Sequence, residues 1–246
     1  MNQFSKLVSA ENFLDNRWAK KDYFALLLVP LIFIVGLTMQ YFSTNSLLPA
    51  IIDTSLRLMM FVFLIIVYGK MLRQHWNKFK QAWKRSIALV IVGAVVLQIV
   101  ISSVRSFLPM HGNSSETDIP SLIDPLTASP GMFAVLFYIV LGPIATALIE
   151  DIVFRYTLLG KVFQGSMFRK TCILILNSIL FGLVHYYNFG SVIGTIPFMF
   201  AGLFLNIIYL WTRNIWHVLL IHAFNNTVLT IGALAFIGLL RLFGLS

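Results

Sequence analysis

The 246-residue chain is 59% hydrophobic and only 11% charged, against roughly 25% charged residues in an ordinary soluble domain. That excludes a soluble globule and predicts an all-α, polytopic transmembrane bundle of about seven to eight spans, with the N-terminus in the cytoplasm. The net charge of +9 hints at nucleic acid, but the cations cluster at the ends of apolar runs, the pattern of positive charge kept inside, so no nucleic-acid partner is expected.

Residues 1–21 carry Lys6, Arg17, Lys20 and Lys21 beside Phe13, Leu14 and Trp18. They read as a solvated, weakly amphipathic tail on the membrane surface. The apolar run after them is long and no small-residue cleavage pattern follows it, so it is expected to be an uncleaved first span, roughly 23–42. Ser43-Thr44-Asn45-Ser46 is a polar turn. The second span, about 47–67, holds Asp53 and Arg57 at i,i+4, so a structural ion pair is expected there. Residues 70–85 contain six cations with Trp76 and Trp83 and read as an amphipathic segment at the cytoplasmic interface, with acidic lipid as a secondary contact. A third span covers about 86–104. Residues 105–130, with Glu116, Asp118, Asp124 and several prolines, read as an external loop. Asn113-Ser114-Ser115 within it fits a glycosylation sequon.

The fourth span starts near Gly131 and is expected to continue to about Gly160. Lys161, Arg169 and Lys170 mark an inner connection. Span five runs about 171–187, Asn188 to Ser191 form an outer turn, span six covers 192–211, and Thr212-Arg213-Asn214 is an inner turn. The last stretch, 215–243, would be about 43 Å long as one helix, too long for one upright span and too short for two. Cys172, the one cysteine, cannot form an internal disulfide, and its apolar neighbours predict an inert packed side chain. With the N-terminus inside, fourteen of the 18 basic residues fall in inner segments and the acidic loop falls outside. The expected organisation is a tail, three spans and an external loop over 1–130, then a transmembrane core carrying the chemistry over 131–246. The expected location is a bacterial plasma membrane.

Polar groups within the spans concentrate after residue 140, unlike the matched halves of an inverted-repeat transporter with a proton-carrying Glu150. The first group is Glu150-Asp151-Ile152-Val153-Phe154-Arg155. Asp151 and Arg155 share a helical face and can neutralise each other. Glu150 is rotated from Asp151 by about 100° and is left for other work, including proton transfer. The second group is Phe181 and His185, again i,i+4. The third is His222 and Asn226 at the same spacing, with Asn225 beside them. Amides are costly in an apolar helix unless satisfied, so a polar cavity is implied. The helix lengths let the three groups converge in the inner half of the bundle.

Glu-Glu-x-x-x-Arg, Phe-x-x-x-His and His-x-x-x-Asn in this order resemble the three motifs of the CPBP intramembrane proteases, which include the CAAX prenyl endopeptidases and the bacteriocin-processing or immunity (Abi) proteins. Here His185 follows Arg155 by 30 positions and His222 follows His185 by 37. Pro143 and Thr212-Arg213-Asn214-Ile215-Trp216 fit the family as well, and the resemblance spans about 135–235. It implies hydrolysis of a peptide bond in a membrane-associated peptide or protein. Glu150 and His185 would activate water, and His222 and Asn226 would stabilise the oxyanion, with Asp151, Arg155 and Phe181 supporting them. The family has been described both as metalloproteases and as glutamate proteases. If zinc is bound, its ligands would be Glu150, His185 and His222, but there is no His-Glu-x-x-His helix and a metal-free site is slightly favoured. Asp151 departs from the family's second glutamate. A non-proteolytic immunity or scaffold protein of the same fold is the alternative that this departure raises.

Overall fold

The computed structural model describes residues 2–15, 17–42, 47–109 and 123–244. Within them all regular structure is helical. A short α1 (Gln3–Val8) precedes α2 (Lys20–Phe42), α3 (Leu47–Gln81), α4 (Trp83–Ser106), α5 (Pro130–Val162), α6 (Met167–Leu183), the single turn α7 (Tyr186–Phe189), α8 (Val192–Thr212) and α9 (Ile215–Leu242). Six of these are long and apolar enough to cross a membrane: α2 to α5, α8 and α9. An unbroken helix satisfies its own backbone where no water can.

The 17-residue α6 is about 25 Å long and crosses too, for a topological reason. The C-terminal ends of α5 and α8 both lie against the N-terminal segment. Gln164, just past α5, donates from Nε2 to Phe13 O at 2.7 Å, and Arg213 O, just past α8, accepts from Ala10 N at 3.1 Å. α6 joins the end of α5 to the start of α8, so it must return across the bundle. The chain is therefore an integral membrane protein with seven passages among the described residues. The last stretch, ambiguous by length, is one helix with a π turn at Val228–Gly232.

Three expectations are corrected. Residues 2–15 are not a solvated tail: Ser5 and Val8 are fully buried and Phe13 nearly so. They form a strap across the inner ends of α3, α5 and α8, because the bundle offers apolar surface for Val8 and Phe13 and hydrogen-bond partners for the strap's backbone. Asn214 Nδ2 donates to Val8 O at 2.9 Å and to His75 O at 2.8 Å. His75 Nδ1 accepts from Ile215 N at 3.1 Å, so its Nε2 carries the hydrogen donated to Glu11 Oε1 at 2.8 Å. Arg213 holds the left-handed conformation (φ 50°) while its carbonyl takes both Ala10 N and Glu11 N. Such a φ persists in a non-glycine residue only where its surroundings fix it.

The basic stretch 70–85 is not a separate interfacial piece. α3 runs unbroken to Gln81, because Tyr68, Leu72, His75 and Phe79 fall on one helical stripe and all are buried. The chain then turns at Ala82 directly into α4. Cys172 is exposed, in line with exposed Ile175, Leu176 and Ile179, the outward stripe of α6. The turn at 43–46 and the sequon at Asn113, with residues 110–122 of the external loop, lie outside the described residues.

The expected pair forms: Arg57 Nε donates to Asp53 Oδ2 at 2.7 Å, and Arg57 Nη1 reaches Thr146 Oγ1 on α5 at 2.6 Å. A proline cannot donate to the carbonyl four residues back. Pro143 therefore leaves Ile139 O without its helical partner, and the Thr54 hydroxyl of α3 donates to it at 3.2 Å. α6 and α8 approach so closely that a Cβ on Gly182 would lie 2.7 Å from Met199 N, and one on Gly202 would press on the Phe181 ring. Those two glycines bring the Phe181–His185 segment against the rest of the site.

Candidate active site

After its turn at Val140, α5 is regular from Leu141 through Asp151 and then takes a π turn from Ile152 to Leu159. It reaches Val162, as the expected continuation past Gly160 requires. In π geometry each N–H reaches five residues back, which leaves a carbonyl over where the ladder changes. Asn177 Nδ2 of α6 donates to Phe154 O at 3.1 Å. Asn206 Nδ2 of α8 donates in turn to Asn177 Oδ1 at 2.9 Å and to Ser178 Oγ at 3.0 Å. All three side chains are buried. Asn206 was missed from the sequence, although an amide in so apolar a helix is itself a signal.

The π turn begins just after the acids. Asp151 and Arg155 are both fully buried, and Arg155 Nη1 lies 3.0 Å from Asp151 Oδ1. The expected pair is therefore present, but it is not closed on itself. Asp151 Oδ2 faces His222 Nδ1 of α9 at 3.3 Å. One carboxylate thus holds a guanidinium on its own helix and an imidazole 71 positions later.

Phe181 collects the remaining groups. The Arg155 guanidinium carbon stands 4.0 Å from its ring centroid, a desolvated cation–π contact. Both imidazoles pack on the same ring, His185 at 5.3 Å and His222 at 5.9 Å between centroids. Phe154 meets it edge-on at 5.5 Å. His185 is stacked on Phe198 at 4.4 Å, and its Nδ1 lies 3.1 Å from Phe181 O. A carbonyl only accepts, so Nδ1 carries the hydrogen and Nε2 carries the basic lone pair.

Asn226 lies one turn beyond His222. Its Nδ2 donates to Pro143 O at 3.2 Å, and its Oδ1 accepts from Asn225 Nδ2 at 3.4 Å. The α9 π turn follows directly, and Thr230 Oγ1 bonds Asn226 O at 2.7 Å. Glu150, 8% exposed, has no hydrogen bond or ion pair to another side chain among the described residues. The structure thus joins Asp151, Arg155, Phe181, His185 and His222. It holds Asn226 beside α5 and leaves Glu150 near them but out of direct contact with either histidine. No three His, Cys, Asp or Glu side chains stand together as a metal set among the described residues. The conditional set of Glu150, His185 and His222 is accordingly not a preformed cage.

In comparisons with known proteins, residues 131–228 match the Rce1-like family, type II CAAX prenyl endopeptidase. No curated protein and no solved structure matches the chain.

Proposed function

We propose, from the match of residues 131–228 to the Rce1-like family of type II CAAX prenyl endopeptidases, that the chain hydrolyses a peptide bond in a membrane-associated peptide or protein. Glu150 and His185 hold and deprotonate a water, which attacks the scissile carbonyl carbon. The carbonyl becomes an oxyanion received by His222 Nε2–H and an Asn226 amide N–H. Collapse of the intermediate breaks the C–N bond, and the proton taken from water passes to the leaving amine.

The observation that carries this reading is the placement of two imidazoles on one phenylalanine ring with opposite preparation. His185 gives its Nδ1 hydrogen to Phe181 O, which suits Nε2 for accepting a proton. His222 turns Nδ1 to the Asp151 carboxylate, which orients the ring and leaves Nε2 as the edge that meets developing negative charge. In this reading Glu150 and His185 share the nucleophilic water, a carboxylate and an imidazole being the groups suited to take its proton. Asp151 in place of glutamate weakens neither partner, since the shorter acid still reaches Arg155 and His222.

The test is cleavage by purified protein of a prenylated CAAX peptide and of the same peptide without its prenyl group, alongside a comparison of membrane proteomes between wild type and Glu150→Gln. Alanine at Glu150, His185 or His222 is expected to lower turnover at least about 10²-fold, and Asn226→Ala by about 10²–10³-fold, with expression and melting unchanged. No cleavage of either peptide by wild type would remove the proteolytic reading, and full turnover in any of the first three variants would remove that residue from the catalytic set.

A further inference from the structure

The turn between α3 and α4 carries a charge imbalance that the proposed catalysis does not use. Between Lys70 and Ser106 there are six Lys or Arg residues in 70–85 and no acidic residue at all. Lys84 and Arg85 open α4, and no carboxylate pairs with either among the described residues. They line an open depression of about 400 Å³ with Gln81, Ala82 and Trp83, bordered also by Leu7 of the strap. A second cavity, about 380 Å³, lies between α3, α4 and α9 and is bordered by Trp76, Phe79, Ile87, Val90, Leu220 and Phe224. Trp83 of the first and Ile87 of the second are one turn apart on α4 and share a face, so the two lie in succession along that helix.

We infer that this is a binding site for one anionic phospholipid of the inner leaflet, with its phosphate at Lys84 and Arg85 and one acyl chain in the groove between α4 and α9. Trp83, 55% exposed, lies beneath Lys84 Nζ at 5.7 Å and stands where interfacial aromatics mark headgroup level. Charge selects the headgroup, since the leaflet surface attracts unpaired basic residues and nothing acidic here competes. The groove selects a lipid over a free anion, because a soluble phosphate would leave the apolar cavity unused. Leu220 and Phe224 form the groove's wall on α9, while His222 and Asn226 lie on a different face of the same helix. A bound chain therefore braces the helix that carries them.

The experiment needs no catalytic assay, so it stands or falls apart from the proteolytic reading. Purified protein is incubated with phosphatidylglycerol or phosphatidylcholine, and retained lipid is read by native mass spectrometry. Wild type is expected to keep one phosphatidylglycerol at least tenfold more than phosphatidylcholine. Lys84→Gln with Arg85→Gln is expected to abolish that preference. Val90→Trp, which fills the groove and keeps both cations, is expected to lose the lipid as well. Lys20→Gln with Arg169→Gln, two inner cations elsewhere, is expected to keep it, and glycerol 3-phosphate is expected not to compete. Equal retention by the Lys84/Arg85 variant, equal loss by the control pair, unchanged retention in Val90→Trp, or full competition by glycerol 3-phosphate would each overturn the site. Only variants that elute as monodisperse protein and melt like wild type are scored. If Val90→Trp misfolds, Ala223→Phe fills the same groove from α9.

Discussion

Asp151 concentrates more of the local energetics than any other residue of the site. It is fully buried, as is Arg155, and burial of two charges is tolerable only when each is well met. The i,i+4 spacing made the Arg155 contact readable. The His222 contact was not, because nothing local relates α5 to α9. Asp151→Asn removes the carboxylate paired with the guanidinium, and it is expected to destabilise the protein by about 3–5 kcal/mol. Asp151→Glu keeps the charge but crowds a packed place, costing about 1–3 kcal/mol. Thermal melting in detergent checks the order, and an Asn variant as stable as wild type would show that the clasp contributes little.

At the scale of elements, α5 is a helix interrupted twice for identifiable reasons. Pro143 frees Ile139 O for Thr54, and the π turn frees Phe154 O for Asn177. Each interruption recruits a polar side chain from another helix, so α3 and α6 dock where α5's own ladder is incomplete. Asn206 adds α8 to the second docking point. Asn177→Ala is expected to cost about 1–3 kcal/mol by leaving buried partners unsatisfied. Because Asn177 and Asn206 share one network, the double alanine variant should cost less than the two single losses added together. Additive melting shifts would mean that the two amides act separately.

At the scale of the whole molecule, the strap ties the inner ends of α3, α5 and α8 to the first turn of α9. His75 and Asn214 are its fixing points, and they hold the backbone at Ile215, two turns before His222. Deleting residues 2–15 removes the burial of Val8 and Phe13, worth about 1.5–3 kcal/mol each, and unties that turn. A lower melting temperature is expected, together with faster amide exchange at residues 215–218. Exchange at wild-type rates after deletion would show that α9 is set by its own packing.

The sequence alone determined the membrane setting, the order and most of the limits of the crossings, and the i,i+4 ion pairs. Those features depend on local periodicity and on the cost of polar groups in apolar helices, both visible along a single stretch of chain. Tertiary structure decided how far α3 extends, where residues 2–15 lie, which way Cys172 faces, and that Asp151 serves two partners. Each of these depends on a surface or a charge brought from elsewhere in the chain. Leu72 to Phe79 are basic-flanked and ambiguous until the strap and α9 pack on them, and Asp151 looks satisfied by Arg155 until α9 brings His222 within 3.3 Å.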